Sequence, residues 1–73
     1  MSNILTNRER QIFTLLIDNY STKQIASILH ISDKTVRNHI SNVIIKLDAK
    51  GRTQALVRLI QLGEINIKKA NEL

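Results

Sequence analysis

The sequence contains no cysteine and no proline, and it has only two glycines and two aromatic residues, Phe13 and Tyr20. Without cysteine the chain forms neither a disulfide bond nor a thiolate metal site. The scarcity of aromatic side chains means that aliphatic residues must fill the core, and it disfavours recognition of single-stranded nucleic acid by base stacking. No segment approaches the ~20 apolar residues of a membrane span, and the start lacks the apolar run of a secretory signal. We therefore expect a soluble, cytoplasmic protein with no membrane association.

Acidic residues are also few, with 6 aspartates and glutamates against 11 lysines and arginines, so the net charge is +5. An excess of positive charge favours a polyanionic partner, although it also serves solubility. The basic residues gather between Ser32 and Arg52, which favours a binding surface there. The apolar fraction of 42% is ordinary for a globular chain, but 73 residues bury little surface. A partner or a second copy would therefore add to a marginal stability.

Capping boxes mark the first two predicted helices. Thr6 and Glu9 begin "LTNRERQIFTLLIDNY", and Ser21 and Gln24 begin "STKQIASIL". In such a box the hydroxyl of the first residue accepts a hydrogen bond from the backbone N–H three residues later. The side chain of that later residue in turn accepts a hydrogen bond from the backbone N–H of the first. The residues expected to face the core are Leu5, Ile12, Leu15, Leu16 and Asn19 with the first helix, and Ile25, Ile28 and Leu29 in the second.

A third helix is predicted from about Asp33 to Leu47, with Ser32 as its N-cap. Apolar residues recur in it at spacings of four, three and four, which predicts one buried stripe made of Val36, Ile40, Val43 and Leu47. Polar side chains share an arc of about 100° on the opposite side. These are Lys34, Arg37, Asn38 and Ser41. Ile45 falls on the same polar side without an evident reason.

The turn "DAKGRT" leads into a fourth helix, "TQALVRLIQL", which Gly63 is expected to end. Its core-facing residues should be Leu56, Leu59 and Ile60. A second face, consisting of Thr53, Val57 and Gln61, is predicted to form a symmetric dimer interface. The alternative is that the first helix covers this face.

The second and third helices, joined by the three-residue break "HIS", match helix-turn-helix geometry. A B-DNA major groove is about 12 Å wide and admits one α-helix. Such a helix needs one side packed against the rest of the protein and hydrogen-bonding side chains on the opposite side. His30 stands where a turn glycine is common, but histidine tolerates a positive φ better than most residues. We predict an all-α, compact four-helix bundle with a helix-turn-helix and no wing. It forms a single domain over 1–73, with its core in 5–63 and an uncertain tail in 64–73.

Four segments, "LTNRE", "TKQIASIL", "ISDKTVRNHISNVIIKL" and "KGRTQAL", strongly resemble the LuxR-type (GerE-like) DNA-binding domain. The resemblance covers roughly residues 5–63 without an apparent gap, and it extends to the output domains of two-component response regulators. It implies a sequence-specific transcription regulator whose third helix lies in the major groove of double-stranded DNA. It also implies a homodimer on an inverted or direct repeat. RNA polymerase is a further candidate partner.

Arg37, Asn38 and Ser41 are the candidates for base contact, at positions where the resembling family places its base readers. Arginine can donate two hydrogen bonds to guanine, and asparagine can pair with adenine. The alternative is a solvated helix face. The candidates for phosphate contact are Lys34, Thr35, Asn42 and Lys46 on the third helix, and Thr22 and Lys23 at the start of the second. For Lys23, an equal alternative is a solvent-exposed side chain that binds nothing.

Enzymatic chemistry is not predicted, since no acid, base and nucleophile cluster at useful spacing and no glycine-rich phosphate loop occurs. We expect no cofactor and no metal, because only His30 and His39 could serve as ligands of that kind, and His39 is better explained by packing. Two other functions remain open. The chain could be a protein-interaction module that uses its apolar fourth helix, or a binder of nucleic acid without sequence preference.

Overall fold

The computed structural model describes residues 4–66 and contains, within them, four α-helices and no strand. They are α1 (Asn7–Ile17), α2 (Thr22–Leu29), α3 (Asp33–Lys46) and α4 (Arg52–Gln61). Helix α3 lies at the centre and contacts each of the other three. The predicted all-α, four-helix architecture is therefore confirmed. Across residues 4–66, no helix has the length and apolar character needed to cross a bilayer.

The first three helices begin with the caps that the sequence predicts. In α1 the backbone N–H of Thr6 donates to Glu9 Oε1 at 2.9 Å, and the N–H of Glu9 donates to Thr6 Oγ1 at 3.1 Å. Ser21 and Gln24 repeat this arrangement at 2.8 and 3.1 Å. Ser32 Oγ accepts from the backbone N–H three residues on at 3.0 Å. These bonds satisfy backbone donors that a helix leaves without partners at its start, so each helix begins at a defined residue.

Each of the four helices is followed, one or two positions after its last residue, by a residue in the left-handed region. These residues are Asn19 (φ 72°), His30 (φ 60°), Asp48 (φ 53°) and Gly63 (φ 75°). After each one, the next N–H bonds to the carbonyl five residues back, as Ile31 does to Ala26 at 3.0 Å. This hydrogen bond is typical of the Schellman motif, which satisfies backbone carbonyls that have no partner at the C-terminal end of a helix. The positive φ expected to be tolerated at His30 is thus present, and Gly63 ends α4 as predicted.

The core is a single cluster of apolar side chains around Phe13, contributed by all four helices and both flanking segments. Its buried members are Leu5, Ile12, Phe13, Ile25, Ala26, Val36, Ile40, Val43, Ala55, Leu59 and Ile65. Two residues predicted to face it do not. Ile28 is 45% exposed, and Asn19 lies beyond the end of α1, where asparagine readily adopts a left-handed turn. The stripe of α3 is confirmed, with Leu47 half-buried against the cluster.

The described fold extends beyond residue 63, where the predicted core ends. Gly63 turns the chain back towards α1, and Ile65 is 5% exposed within the core. The guanidinium of Arg10 then donates to the Glu64 carboxylate at 2.9 Å and also to the Glu64 carbonyl. Residues 67–73 of the predicted tail lie outside the described residues. The sequence left the role of Ile65 open, because this residue lies two positions after the helix-ending Gly63 and belongs to no periodic pattern.

Candidate nucleic-acid interface

Helix α3 is held firmly from behind by helix-turn-helix packing. Val36 and Val43 are fully buried on its inner side, and Ala26 of α2 lies in the same cluster at 7% exposure. Small side chains at a crossing let two helices approach closely. Ile31 in the turn packs against the same cluster, so the connection is anchored as well. The backbone of α3 is therefore fixed before any ligand arrives.

The outer side of α3 is open to solvent. Lys34, Arg37, Asn38, Ser41 and Asn42 are exposed, and Thr35 is half-buried. No described residue covers this arc, which spans the first two and a half turns of the helix. Side chains at these positions offer guanidinium, ammonium, amide and hydroxyl groups, which can hydrogen-bond to the base edges and phosphates of DNA. The structure thus brings the predicted base-contact residues together on one accessible surface.

Arg37 lies along this surface and pairs with Asp33, four residues earlier on the same helix. The arginine side chain is 56% exposed. An exposed ion pair at this spacing stabilises a helix by only about 0.3–0.5 kcal/mol. Two hydrogen bonds to guanine contribute about 1–3 kcal/mol of discrimination over another base, which exceeds the contribution of the pair with Asp33, so this pair does not prevent Arg37 from contacting a base.

Lys46, predicted to contact phosphate, is already bonded within the protein. Its ammonium lies 2.5 Å from Glu9 Oε1 and 3.0 Å from the carbonyl of Ile4. An ammonium has three donors, so one remains for a phosphate. The sequence indicated only a capping role for Glu9, because nothing along the chain relates two residues that are 37 positions apart.

Glu9 is a buried carboxylate, with only 4% of its surface exposed. Burial by itself raises the pKa of Glu9, because it disfavours the charged form. The hydrogen bonds from Lys46 and from the backbone N–H of Thr6, together with the charge of Lys46, outweigh burial and lower the pKa below the ordinary value. The carboxylate therefore stays ionised at neutral pH and ties the C-terminal end of α3 to the start of α1.

Arg58 of α4 secures the same end of α3. Its guanidinium donates to the carbonyls of Leu47 and of Asp48, the latter at 3.1 Å. A cation at a helix C-terminus satisfies free carbonyls and interacts favourably with the helix dipole. This contact was not predicted from the sequence, although a basic residue in the helix that follows the end of α3 is a signal for it. Helices α1 and α4 thus both fix α3 in place.

The remaining predicted phosphate contacts lie at the N-terminal end of the motif. Thr22 is half-buried and Lys23 exposed at the first turn of α2. The hydroxyl of Thr35 accepts from Ser32 Oγ at 2.9 Å, at the first turn of α3. Helix N-termini attract anions, since their free N–H groups and dipoles are positive. These side chains are therefore available for a phosphate backbone that passes both helix starts.

Helix α4 presents the outward face that the sequence predicts. Thr53 and Gln61 are exposed, Val57 is 46% exposed, and the neighbouring Leu62 is 56% exposed. Helix α1 does not cover this face, so that alternative is wrong. The apolar part of this face consists of Val57 and Leu62, beside the polar side chains of Thr53 and Gln61.

The histidines give no sign of a metal centre. Among residues 4–66, no group of three or more histidine, cysteine, aspartate or glutamate side chains could hold a metal ion. His39 is half-buried on the edge of α3, and its Nδ1 is buried without a hydrogen-bond partner in the described part of the chain. His30 is exposed in the turn and serves the backbone geometry there.

Comparison with known proteins adds independent findings. The family model for bacterial regulatory proteins of the luxR family matches residues 3–59. The spore germination protein GerE of Bacillus subtilis is 56% identical over 64 residues, which cover 88% of this chain and 86% of GerE. A solved structure of the transcription factor GerE superposes with a TM-score of 0.84 at 59% identity, covering 86% of this chain and 94% of that one.

Longer regulators match over the same region. The transcriptional regulatory protein DegU of Brevibacillus brevis is 42% identical over 66 residues, and these cover 90% of this chain. The response regulator protein VraR of Staphylococcus aureus is 45% identical over 58 residues, or 80% of this chain. In both cases the matched segment spans only 28% of the longer protein.

Proposed function

Because the chain belongs to the luxR family of bacterial regulatory proteins, we propose that it recognises specific DNA sequences by placing α3 in the major groove. As a member of this family it is a DNA-binding transcription regulator and not an enzyme. The observation that supports the proposed binding mode most strongly is the outer surface of α3. It is polar, basic and exposed, on a helix whose inner side is fully packed.

Within this proposal, Arg37 and Asn38 read bases. Arg37 donates two hydrogen bonds to guanine O6 and N7, and Asn38 pairs with adenine N6 and N7. Ser41, one turn further on, discriminates less because a hydroxyl both donates and accepts. Phosphate contacts then fix the register without reading sequence. They come from Lys34, Thr35, Asn42, Thr22 and Lys23, and from the remaining donor of Lys46.

A homodimer through α4 completes the proposal. The exposed apolar side chains of Val57 and Leu62 on the outward face support pairing with a second copy, and two copies would place two α3 helices on one duplex. Helix-turn-helix dimers read half-sites about one helical turn apart, and a dimer with two-fold symmetry reads an inverted repeat. A regulator of this kind acts in the cytoplasm, where bacterial DNA lies, and RNA polymerase is a candidate partner there.

Selection of bound duplexes from a random DNA pool tests the proposal directly. The expected result is enrichment of one motif, whose half-site spacing reports the dimer geometry. Affinity for that motif should fall with salt at a logarithmic slope of about −0.9 for each phosphate contacted. If the protein bound enriched and random duplexes equally, sequence recognition would be excluded. If it bound no DNA while still self-associating, a protein-interaction module would be the better description.

A further inference from the structure

Ile45 is the most exposed large apolar residue in the described part of the chain. Its exposed fraction is 76%, against 56% for Leu62, which ranks next. Single exposed aliphatic residues are common on protein surfaces and need no function by themselves. The position of Ile45 within α3 is what makes it informative.

Ile45 points into the surface that the proposed function assigns to DNA. At 100° per residue it lies about 20° from Asn38 around the helix axis, and about 170° from the centre of the buried stripe. It follows Ser41 by one turn, so Asn38, Ser41 and Ile45 form one row. Ile45 lies seven positions after Asn38, which corresponds to about 10 Å along the axis. That length spans no more than about three base-pair steps.

The major groove contains one apolar feature that such a side chain can recognise. Every base edge there presents hydrogen-bonding groups, but only thymine adds a 5-methyl group. The other members of the row are polar, and Lys34 and Arg37 on the same arc carry positive charge. A polyanion fits this surface, and an aliphatic side chain within it has the thymine methyl as its complement.

We propose that Ile45 is a specificity residue that packs against the 5-methyl group of a thymine. This thymine lies within about three base-pair steps of the base that Asn38 contacts. The inference rests on the proposed function, since it requires α3 to enter the major groove. It goes beyond that function because it assigns sequence discrimination to an apolar residue at the far end of the helix.

Deoxyuridine substitution tests this contact, since it removes only the methyl group. Each thymine of the motif selected from the random pool is replaced in turn, and the affinity of the full chain is measured for each duplex. At one thymine the wild-type protein should lose affinity by about three- to fivefold, as expected for one buried methyl group. Ile45→Ala should bind the thymine and deoxyuridine duplexes equally at that position. Ile28→Ala, an exposed isoleucine of α2 outside this row, should keep the wild-type discrimination.

The outcomes separate this inference from the proposed function. If no duplex is enriched, both fail. If a motif is enriched but wild-type protein tolerates deoxyuridine at every thymine, the Ile45 contact is refuted while sequence recognition stands. Discrimination that survives Ile45→Ala also refutes it. If Ile45→Ala weakens self-association and leaves thymine discrimination intact, Ile45 belongs to a protein interface instead.

Discussion

Replacement of Lys46 by methionine should destabilise the domain, because it leaves the buried carboxylate of Glu9 without its cation. The Glu9 side chain is 5% exposed and that of Lys46 is 36% exposed. Breaking a buried pair costs about 3–5 kcal/mol, and breaking an exposed one costs about 0–1 kcal/mol. The half-solvated lysine places this pair between those limits. Glu9 also keeps its bond from the Thr6 backbone, so we expect a loss of about 2 kcal/mol.

Such a loss is large for a small domain. A chain of this length has a free energy of unfolding of about 4–11 kcal/mol. The melting temperature of Lys46→Met should therefore fall by about 8–16 °C. Urea unfolding monitored by circular dichroism measures the free energy, and calorimetry measures the melting temperature.

Two further variants establish the cause. Glu9→Gln keeps an acceptor for the Thr6 N–H but removes the charge, so Lys46→Met added to it should cost only about 1 kcal/mol, mainly for the lost hydrogen bond to the Ile4 carbonyl. Lys34→Met, an exposed lysine at the other end of α3, should leave stability within about 0.5 kcal/mol of wild type. If Lys46→Met were as stable as Lys34→Met, the pairing with Glu9 would not hold α3 and the reasoning would be refuted. A phosphate contact by Lys46 is a separate effect, which would reduce the salt slope of DNA binding by about 0.9.

Three other perturbations test different parts of the structure. Val57→Glu should leave a folded protein that self-associates less in sedimentation experiments, and unchanged association would exclude an α4 dimer. Ile65→Ala should destabilise the domain by about 2 kcal/mol in urea unfolding, whereas Leu62→Ala, at an exposed neighbouring position, should change it by less than about 0.5 kcal/mol. The pKa of Glu9 is lower in the folded state than in the unfolded state. The ionised carboxylate therefore stabilises the fold at any pH above the ordinary glutamate pKa, and this contribution disappears as the pH falls through the lower pKa of the folded state. Glu9→Gln should therefore lack this component of acid destabilisation in urea midpoints measured against pH, and an identical pH profile would contradict the assigned ionisation.

The sequence predicted those features of the fold that local rules determine. The boxes at Thr6 and Ser21 depend on residues three apart, and the stripe of α3 depends on helical periodicity. The left-handed turn at His30 follows from the tolerance of histidine for positive φ. Each of these needs only a few neighbouring residues, so a single sequence was sufficient.

The features that the sequence could not predict depend on distant contacts. Glu9 and Lys46 are 37 residues apart, and Arg10 and Glu64 are 54 apart. Either pair becomes visible only when the packing of helices is known. Asn19 fitted the apolar periodicity of α1 by position, but the tendency of asparagine to adopt a left-handed turn ended the helix before it. The candidate base-contact residues were predicted from side-chain chemistry and a family resemblance, and their contacts stay predictions.

The central claim is that the exposed arc of α3 reads base edges, and Arg37→Lys tests it most directly. This change keeps the positive charge but removes the planar pair of donors that matches guanine. Affinity is measured for the selected duplex, for variants at each position and for a scrambled duplex, at one salt concentration. We expect a loss of about 1–3 kcal/mol on the selected duplex, relaxed discrimination at one guanine, and unchanged affinity for the scrambled duplex. Equal effects on selected and scrambled duplexes, or no effect on either, would contradict base reading by α3.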